Sequence, residues 1–524
     1  MCVALGVALG VALGSLVGCG SAFSHTSGGG DDDATDASVP VVPPQGCDAQ
    51  DDDGDGWSNA VEAVMGTSPA DPADNPGAGD QIVFAMPLHG APRPAAHVTE
   101  GAAKVARADV AILLDTTGSM LGTDTRIQAQ FQQLISMLAG EVDDLAFGAA
   151  GLGDFPVNDG ANSQYDVPFY LVHRIMTART ATGNNSILGA LTYHNIISDG
   201  IGPWFAGMRG GDAPEQGWEA LRQISIGTGI AYPLVGGGTG AVAPFTTSTA
   251  YPTALPAGEE RGTIGGMGFR IGSLPIVIVV TDTTQHADTL STTSPHSADY
   301  ATALASLQHI GAKVIGVNTY FGTGHADLTK VANATGAHVA PEAWGTGAAR
   351  PANCPIGKCC VIANDPSTTS NAPQPAPIAG QCPLVFTSDR YDDNLARILE
   401  QAVVGVARGA RFDASAVMRD DASDEVDAVA SFVDHVEAVT DGSCAGGHAV
   451  DRDGDGIAET FDAVVPGTTV CFRVTTKINA TVEPGMAGRK FRAVLQLTGD
   501  GLADLVSREV WFVVPASECG GIIE

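Results

Sequence analysis

Two short, wholly apolar runs that each lead into an aspartate constrain the fold of this 524-residue chain more than any other feature. Residues 111–114 (Ala-Ile-Leu-Leu) run directly into Asp115, and residues 276–280 (Ile-Val-Ile-Val-Val) run through Thr281 into Asp282. A strand that is apolar at every position has to be buried on both faces, which is typical of a parallel sheet covered by helices. The two runs therefore predict neighbouring central strands of such a sheet.

The surrounding sequence extends this pattern. Further strand-like runs lie at residues 145–150, 167–172 and 314–317, and segments with the 3.6-residue period of helices separate the runs, as with Ile127 and Phe131. This alternation predicts an α/β fold class, a doubly wound and mostly parallel sheet, over residues 105–408. Residues 228–272 and 344–383 break the rhythm with Gly, Thr and Pro, and we expect them to be surface insertions.

After residue 411 the apolar period changes from helical to two. Residues 470–478, 491–497 and 510–514 alternate in this way, with Gly-Asp and Pro-Gly turns between the runs. Short alternating strands joined by such turns indicate a small antiparallel β-sandwich. We predict this second domain over residues 411–519.

The turn after the first apolar run carries the strongest functional signal. Asp115, Thr117 and Ser119 offer one carboxylate and two hydroxyls, and Asp282 ends the second run. Ligands of open parallel sheets bind at the carboxyl ends of the strands, so these side chains should converge. Hard oxygen donors with room for water suit Mg²⁺. A structural alternative for each aspartate alone is a helix cap or a turn.

The motif Asp-x-Thr-x-Ser after an apolar strand, with a later strand ending in Thr-Asp, resembles the metal-ion-dependent adhesion site of the von Willebrand factor A family. The sequence Asp212-Ala-Pro-Glu215 before a helical run is similar to the inserted domain of integrin β subunits. This resemblance implies Glu215 as a further ligand of a Mg²⁺ or Mn²⁺ ion and Asp212 as a ligand of a neighbouring ion. Gly210 stands where integrins place an Asn ligand.

The resemblance also implies how such a site works. The ion keeps one position for water, and a carboxylate of a protein or matrix ligand replaces that water. The family acts by binding and not by catalysis, so we expect no enzyme activity. We interpret His286, four residues after Asp282, as a surface histidine.

A calcium-like loop precedes the α/β region, within a module predicted over residues 47–78. Its ligand candidates are Asp51, Asp53, Asp55, Asn59 and Glu62, which match positions 1, 3, 5, 9 and 12 of Asp-x-Asp-x-Asp-Gly-x₅-Glu. The residues after this loop resemble thrombospondin type 3 repeats. The alternative is an acidic linker that binds nothing.

The same spacing recurs inside the predicted sandwich. Asp451, Asp453, Asp455, Glu459 and Asp462 occupy the corresponding positions. Asp replaces Glu at position 12, which weakens chelation through two oxygens. We predict Ca²⁺ at both loops, with the lower affinity at this one.

The N-terminus has the pattern of an export signal. Residues 1–18 are small and apolar, and Leu-Val-Gly-Cys19 resembles a bacterial lipobox, whose cysteine is acylated. No Lys or Arg opens the segment, unlike most signal peptides. A plain secretory signal or a short membrane anchor are the alternatives. Residues 19–46 follow as a flexible tether. The resemblance implies a lipid anchor in the outer membrane or on the cell surface of a Gram-negative bacterium.

Eight cysteines remain after Cys2 and Cys19, and an even number in an exported chain indicates disulfides whose pairing the sequence leaves open. Zinc is the competing interpretation for the four cysteines between residues 354 and 382. The net charge of −33 argues against a nucleic-acid partner, since phosphate binding needs clustered Lys and Arg.

Together these features predict a surface lipoprotein whose A-type domain binds a protein or matrix ligand through a divalent metal. One alternative is a structural envelope protein whose ions only stabilise it. A second alternative is a secreted hydrolase that uses the metal.

Overall fold

The computed structural model describes the chain from residue 50 onwards with gaps. The described residues are 50–120, 144–156, 167–177, 214–234, 237–245, 260, 262–286, 297–319, 323–346, 350, 354–362, 373–388, 395–440, 444 and 447–516. Cys19, Asp212 and the predicted helix of Ile127 lie outside them, as do the leader and the tether.

The described strands, in chain order, are β1 Ile82–Ala85, β2 Ala96–Ala102, β3 Arg107–Asp115, β4 Asp144–Leu152, β5 Tyr170–Thr177, β6 Ile230–Pro233, β7 Thr239–Val242, β8 Leu274–Thr281, β9 Lys313–Thr319, β10 His338–Val339, β11 Cys382–Pro383, β12 Val385–Ser388, β13 Phe412–Asp420, β14 Val433–Val439, β15 His448–Val450, β16 Thr460–Val464, β17 Thr469–Thr476, β18 Arg489–Gly499 and β19 Ala503–Val514. The described α-helices are α1 Asn59–Met65, α2 Gly217–Ile226, α3 Tyr300–His309, α4 His325–Ala334, α5 Leu395–Gly409 and α6 Ala428–Phe432. Short 3₁₀ helices span Gly118–Met120 and Pro341–Trp344. None of the helices in the described ranges is long and apolar enough to cross a membrane.

The α/β part is built on a six-stranded sheet in the order β12-β9-β8-β3-β4-β5. The first five strands are mutually parallel, and β5 pairs antiparallel with β4 at the edge. The predicted strands at the two apolar runs are confirmed as the adjacent central strands β3 and β8, and every residue of β8 is buried. The fold is thus mixed α/β with mostly parallel strands in this sheet.

Alternate side chains of β3 enter two different cores. Ala111 and Leu113 pack with residues of α2, α3 and α4, whereas Ile112 belongs to a larger core that includes Val403 of α5. Two-sided burial explains why β3 is apolar at every central position. Because the predicted helix of Ile127 lies outside the described residues, the doubly wound arrangement stays a prediction.

The C-terminal part contains two sheets, β1-β19-β18-β13-β16-β15 and β14-β17-β2. Its strands are antiparallel except for β1, which pairs parallel with β19. The predicted antiparallel sandwich of residues 411–519 therefore has a parallel edge strand, β1, from outside the predicted range. Strands β1 and β2 come from residues 82–102, far upstream, and only such a long connection allows a parallel pair.

Disulfides replace the zinc alternative. Cys354 pairs with Cys360 and Cys359 with Cys382, so all four cysteines of that stretch are oxidised, and Cys444 pairs with Cys471 in the C-terminal part. The two crosslinks join described parts of this stretch, and all four of its cysteines are buried.

Candidate metal centre

The carboxyl ends of β3 and β8 bring the predicted metal ligands to one edge of the sheet. Leu114 lies opposite Val280 in the parallel register, so Asp115 and the Thr281–Asp282 pair leave the sheet side by side. Asp115 is fully buried, whereas Ser119 is exposed and lies on the short 3₁₀ helix that comes next. The buried end of this oxygen cluster thus belongs to the sheet and the open end to the turn.

Hydrogen bonds connect the predicted ligands into one chain of oxygens. Thr117 donates to Asp115 Oδ1 from its backbone N at 2.9 Å and from Oγ1 at 2.6 Å. Thr117 Oγ1 lies 3.3 Å from Ser119 Oγ, which donates to Asp282 Oδ1 at 2.9 Å. Four side chains from two strand ends therefore share a single polar site.

Thr281 adds a contact that the Asp-x-Thr-x-Ser motif does not include. Its Oγ1 donates to Asp115 Oδ2 at 2.6 Å, and the same Oγ1 accepts the Thr283 backbone N at 3.2 Å. Each carboxylate oxygen of Asp115 is thus held by a threonine hydroxyl. Threonine at the end of an apolar strand was visible in the sequence, but the pairing of β3 with β8 was needed to show which carboxylate it holds.

Burial dominates the electrostatics of Asp115. Burial, with a smaller contribution from the charge of Asp282, raises the pKa of the carboxyl from 3.8 to about 6, against the lowering effect of the hydrogen bonds from Thr117 and Thr281. A buried carboxylate next to a second one is a place where a cation gains energy from both.

Glu215 lies at the same edge of the sheet. Its backbone N donates to Thr284 O at 3.1 Å, and the His286 N donates to Glu215 O at 2.9 Å. The next residue, Gln216, donates from its N to Gly153 O at 3.2 Å. Glu215 is therefore held between the loops that come after β4 and β8, and its side chain is buried.

His286 is not a free surface histidine. Its Nε2 lies 3.1 Å from Oδ2 of Asp154, whose carboxylate is fully buried and whose Oδ1 accepts the Phe155 N at 2.7 Å. Asp154 comes after β4 and His286 after β8, so the pair lies beside the predicted metal ligands. Sequence spacing contained no signal for it, since 132 residues separate the two partners.

The first Asp-rich loop folds around its own carboxylates. Asp51 accepts the Gly54 N at 2.7 Å and the Gly56 N at 3.0 Å, Asp53 accepts the Asp55 N at 3.2 Å, and Asp55 accepts the Trp57 N at 2.8 Å. One oxygen from each of the three aspartates lies within 4.8 Å of the others. Asn59 Oδ1 accepts the Asp52 N at 3.0 Å, which ties position 9 to the start of the loop.

Glu62, the predicted twelfth position, lies on α1 and outside the group of Asp51, Asp53 and Asp55. The residue is fully buried, and neither carboxylate oxygen has a hydrogen-bond partner among the residues that the structure describes. Burial, followed by the charges of Asp53, Asp55 and Asp51, raises the pKa of Glu62 from 4.5 to about 7. A buried carboxylate that faces three others and accepts no hydrogen bond is what a divalent cation would satisfy.

The first six residues of the second loop, 451–456, make the same backbone hydrogen bonds as residues 51–56 of the first. Asp451 accepts the Gly454 N at 2.7 Å and the Gly456 N at 2.9 Å, and oxygens of Asp451, Asp453 and Glu459 lie within 4.8 Å of one another. Asp455 accepts the Ile457 N at 2.8 Å and is not in that group.

Asp462, the predicted twelfth position, is also outside the group. It lies on β16, where its Oδ1 is 3.3 Å from Nδ1 of His448 on the neighbouring strand. Glu459 instead comes close to the loop, and its Oε1 accepts the Arg452 N at 2.9 Å.

The three candidate metal sites, at the strand ends and in the two Asp-rich loops, differ in their oxygen donors. Hydroxyls and a few carboxylates at the strand ends could hold Mg²⁺ or Mn²⁺, whereas the carboxylate-rich loops offer the larger oxygen sets that Ca²⁺ prefers. Asp212, which the resemblance to integrins implied as a ligand, lies outside the described residues.

No protein-family profile matches this chain, and no curated protein matches it. Solved structures similar to it include the von Willebrand factor type A protein from Catenulispora acidiphila, at 10% identity and a TM-score of 0.29, covering 83% of this chain and 75% of that one. The pilus adhesin SpaC from Lactobacillus rhamnosus GG is 11% identical with a TM-score of 0.27, covering 83% of this chain and 46% of the adhesin, so the chain spans about half of its length. Proximal thread matrix protein 1 from the mussel byssus is 11% identical with a TM-score of 0.26, covering 62% of this chain and 50% of that one. Similarities this low assign no residue a role.

Proposed function

We propose that this protein binds an acidic protein or matrix ligand through a Mg²⁺ or Mn²⁺ ion held at the ends of β3 and β8. The observation that carries the proposal is the continuous chain of oxygens from buried Asp115 through Thr117 and exposed Ser119 to Asp282. Glu215 supplies a further carboxylate from the adjoining loop. The fold alone would not support this function, because unrelated activities share α/β sheets.

The site is suited to binding a partner because one side of it faces solvent. Asp115 and Thr117 are buried below, whereas Ser119 is exposed at the rim. An ion held by these oxygens would leave room on its solvent side for a carboxylate of the partner. Such a contact is charge-assisted and gives the interface its specificity.

The remaining features fit an exported protein. The three disulfides among the described residues are typical of proteins from oxidising compartments. We propose Ca²⁺ at the two Asp-rich loops, acylation at Cys19 and a location at the cell surface, with the tether holding the protein to the membrane.

The decisive variant is Ser119→Ala, because Ser119 is exposed and its loss removes one oxygen without opening the core. We expect Mn²⁺ binding, followed by electron paramagnetic resonance, to weaken at least tenfold. The matched control is Ser423→Ala. Ser423 is an exposed serine of the C-terminal part and is far in sequence from the proposed ligands. Unchanged Mn²⁺ binding in Ser119→Ala would contradict the proposed site.

A second measurement tests the partner. Immobilised protein should retain envelope proteins in Mg²⁺ and release them in EDTA, and Ser119→Ala should retain none. Retention that survives both EDTA and the variant would rule out metal-dependent binding and leave the structural envelope role.

The Asp154–His286 pair keeps a metal-dependent hydrolase as the second candidate. A histidine oriented by a buried carboxylate beside a metal fits the role of a general base. Turnover of a peptide or glycan that needs Mg²⁺ and disappears in His286→Gln would establish this activity. Ligand binding that persists in His286→Gln, with no turnover in the wild type, would support binding alone.

A further inference from the structure

Helix α1 covers the outer face of the six-stranded C-terminal sheet. Val61 is fully buried against Val83 and Val513, and Val64 and Trp511 pack around them. This small core is separate from the main one, which lies on the other face of the same strands and contains Phe84 and Phe512. The helix after the first Asp-rich loop is therefore a cover for β1 and β19.

Strand β1 depends on this cover. All four of its residues are buried, although β19 is its only sheet neighbour among the strands that the structure describes. Alternate side chains of a strand point to opposite faces, so Ile82 and Phe84 enter the main core while Val83 and Ala85 face outward under α1. Without α1, an apolar edge strand would be exposed.

Helix α1 has little stability of its own. It contains seven residues, and isolated helices shorter than ~12 residues are marginal in water. Ser58 caps its N-terminus and Gly66 ends it in the left-handed conformation, which stabilises the helix only modestly. Its position therefore depends on the small core on one side and on the loop on the other.

Val61 and Glu62 join these two sides. Val61 enters the small core, and the next residue, Glu62, is buried toward Asp51, Asp53 and Asp55 with both oxygens unpartnered among the described residues. Docking of α1 therefore buries a fourth carboxylate beside the group of three, whose charges act on it. The negative charges of these carboxylates oppose docking unless a cation lies between them.

We propose that Ca²⁺ in the first loop acts as a latch, in which ion binding and the docking of α1 over β1 and β19 occur together. The latch rests on the proposed calcium site in that loop and is independent of the site at Asp115. Because coupling between two events is reciprocal, weaker docking has to lower calcium affinity, and calcium removal has to weaken the docking of α1 by the same factor. Release would expose Val83 and Val513 and uncover more of Trp511.

Hydrogen–deuterium exchange of the full chain tests the release. Calcium is removed with EGTA in excess Mg²⁺, and calcium occupancy is measured in the same samples by equilibrium dialysis. We expect protection of residues 59–67 and 82–85 to fall at least tenfold without calcium, with β8 unchanged. No calcium in the first loop would refute the site and the latch, whereas bound calcium with unchanged protection would refute the latch alone.

The variant Glu62→Gln distinguishes calcium-dependent docking of α1 from docking that depends on apolar packing alone. The amide has nearly the same size but no charge, so α1 should stay docked and protected without calcium, while calcium affinity falls at least tenfold. Loss of protection in Glu62→Gln under both conditions would overturn the proposal. Glu459→Gln, in the second loop, is the matched control and should leave α1 dependent on calcium.

Val61→Ala tests reciprocity from the apolar side. This residue makes no contribution to the carboxylate group, yet its loss weakens docking, so calcium affinity of the first loop should fall about tenfold. Val474→Ala, a fully buried valine on β17, is the control that lowers global stability and leaves this affinity unchanged. Equal calcium affinity in Val61→Ala and the wild type would contradict the coupling.

Discussion

The two Asp-rich loops share a backbone and differ in the element that comes after them. Residues 51–56 and 451–456 make the same hydrogen bonds, and each loop has two glycines in the left-handed region. The first loop continues into helix α1, which buries Glu62 against the aspartates, whereas the second continues toward strand β16, which directs Asp462 to His448. An identical ligand spacing therefore yields two different sites, because the element after the loop decides whether the twelfth residue can close it.

Calcium affinity gives the largest expected difference between the loops. With Asp451→Ala only the first loop binds, and with Asp51→Ala only the second does. We expect the first loop to bind calcium at least tenfold more tightly, about 1.4 kcal/mol, because Glu62 adds a buried carboxylate. Titration calorimetry measures both affinities. Equal values would show that the element after the loop, helix or strand, does not set the calcium affinity.

The dependence of stability on pH should differ in sign between the loops. Without calcium, the raised pKa of Glu62 makes the folded state bind more protons than the unfolded state, so stability falls as pH rises from 4.5 to about 7. At Asp451, hydrogen bonds from the Gly456 and Gly454 amides lower the pKa, so that contribution is present above pH 3.8 and is lost in more acidic solution.

Urea unfolding in EGTA at several pH values checks this difference. Glu62→Gln should flatten the decline between pH 4.5 and 7, and Asp451→Asn should leave it in place. If stability still declines between pH 4.5 and 7 in Glu62→Gln, the groups responsible lie outside the first loop.

The shared backbone predicts equal costs for a matched pair of substitutions. Gly56 and Gly456 have φ angles of 98° and 93°, and an added Cβ would meet no atom within 4 Å at either position. Only the conformational penalty remains, so Gly56→Ala and Gly456→Ala should each destabilise the protein by about 1 kcal/mol. Thermal unfolding in EGTA measures both values, and a clear inequality would show that the two backbones are not equivalent.

The smallest effect is expected at Asp462. Since this side chain contacts His448 and lies outside the group of Asp451, Asp453 and Glu459, Asp462→Ala should change the calcium affinity of the second loop less than about twofold. Glu459→Ala, in contrast, should weaken it about tenfold, the loss of one charged ligand. A large loss in Asp462→Ala would mean that the second loop closes as the first does.

The site at the strand ends could be predicted from the sequence because its signals are local. The apolar runs before Asp115 and Asp282 identified two central strands, and parallel strands carry their ends to one edge. The contact between Thr281 and Asp115 and the pair of Asp154 with His286 depend on which strands are neighbours, and neither strand order nor side-chain direction is written in residue spacing.

The C-terminal part shows the limits of the same reasoning. Alternation predicted β17, β18 and β19, but β1 has only four residues and pairs with a strand more than 400 positions away. The two loops looked alike for a related reason. The spacing of Glu62 and Asp462 is the same, and only the local preferences around them, a serine cap and helix formers against the Thr-Phe pattern of a strand, separate them.

The parallel pairing of β1 with β19 has a mechanical consequence. With the proposed anchor at Cys19 and the proposed ligand site at Asp115, tension would pass through residues 82–85 before it reaches the rest of the C-terminal sheet. A force along β1 would load its hydrogen bonds to β19 in shear, so that they bear the force at the same time. The apolar contacts of α1 on the outer face would add to this resistance. The short strand β1 would then be the first part of the C-terminal sheet to bear this tension.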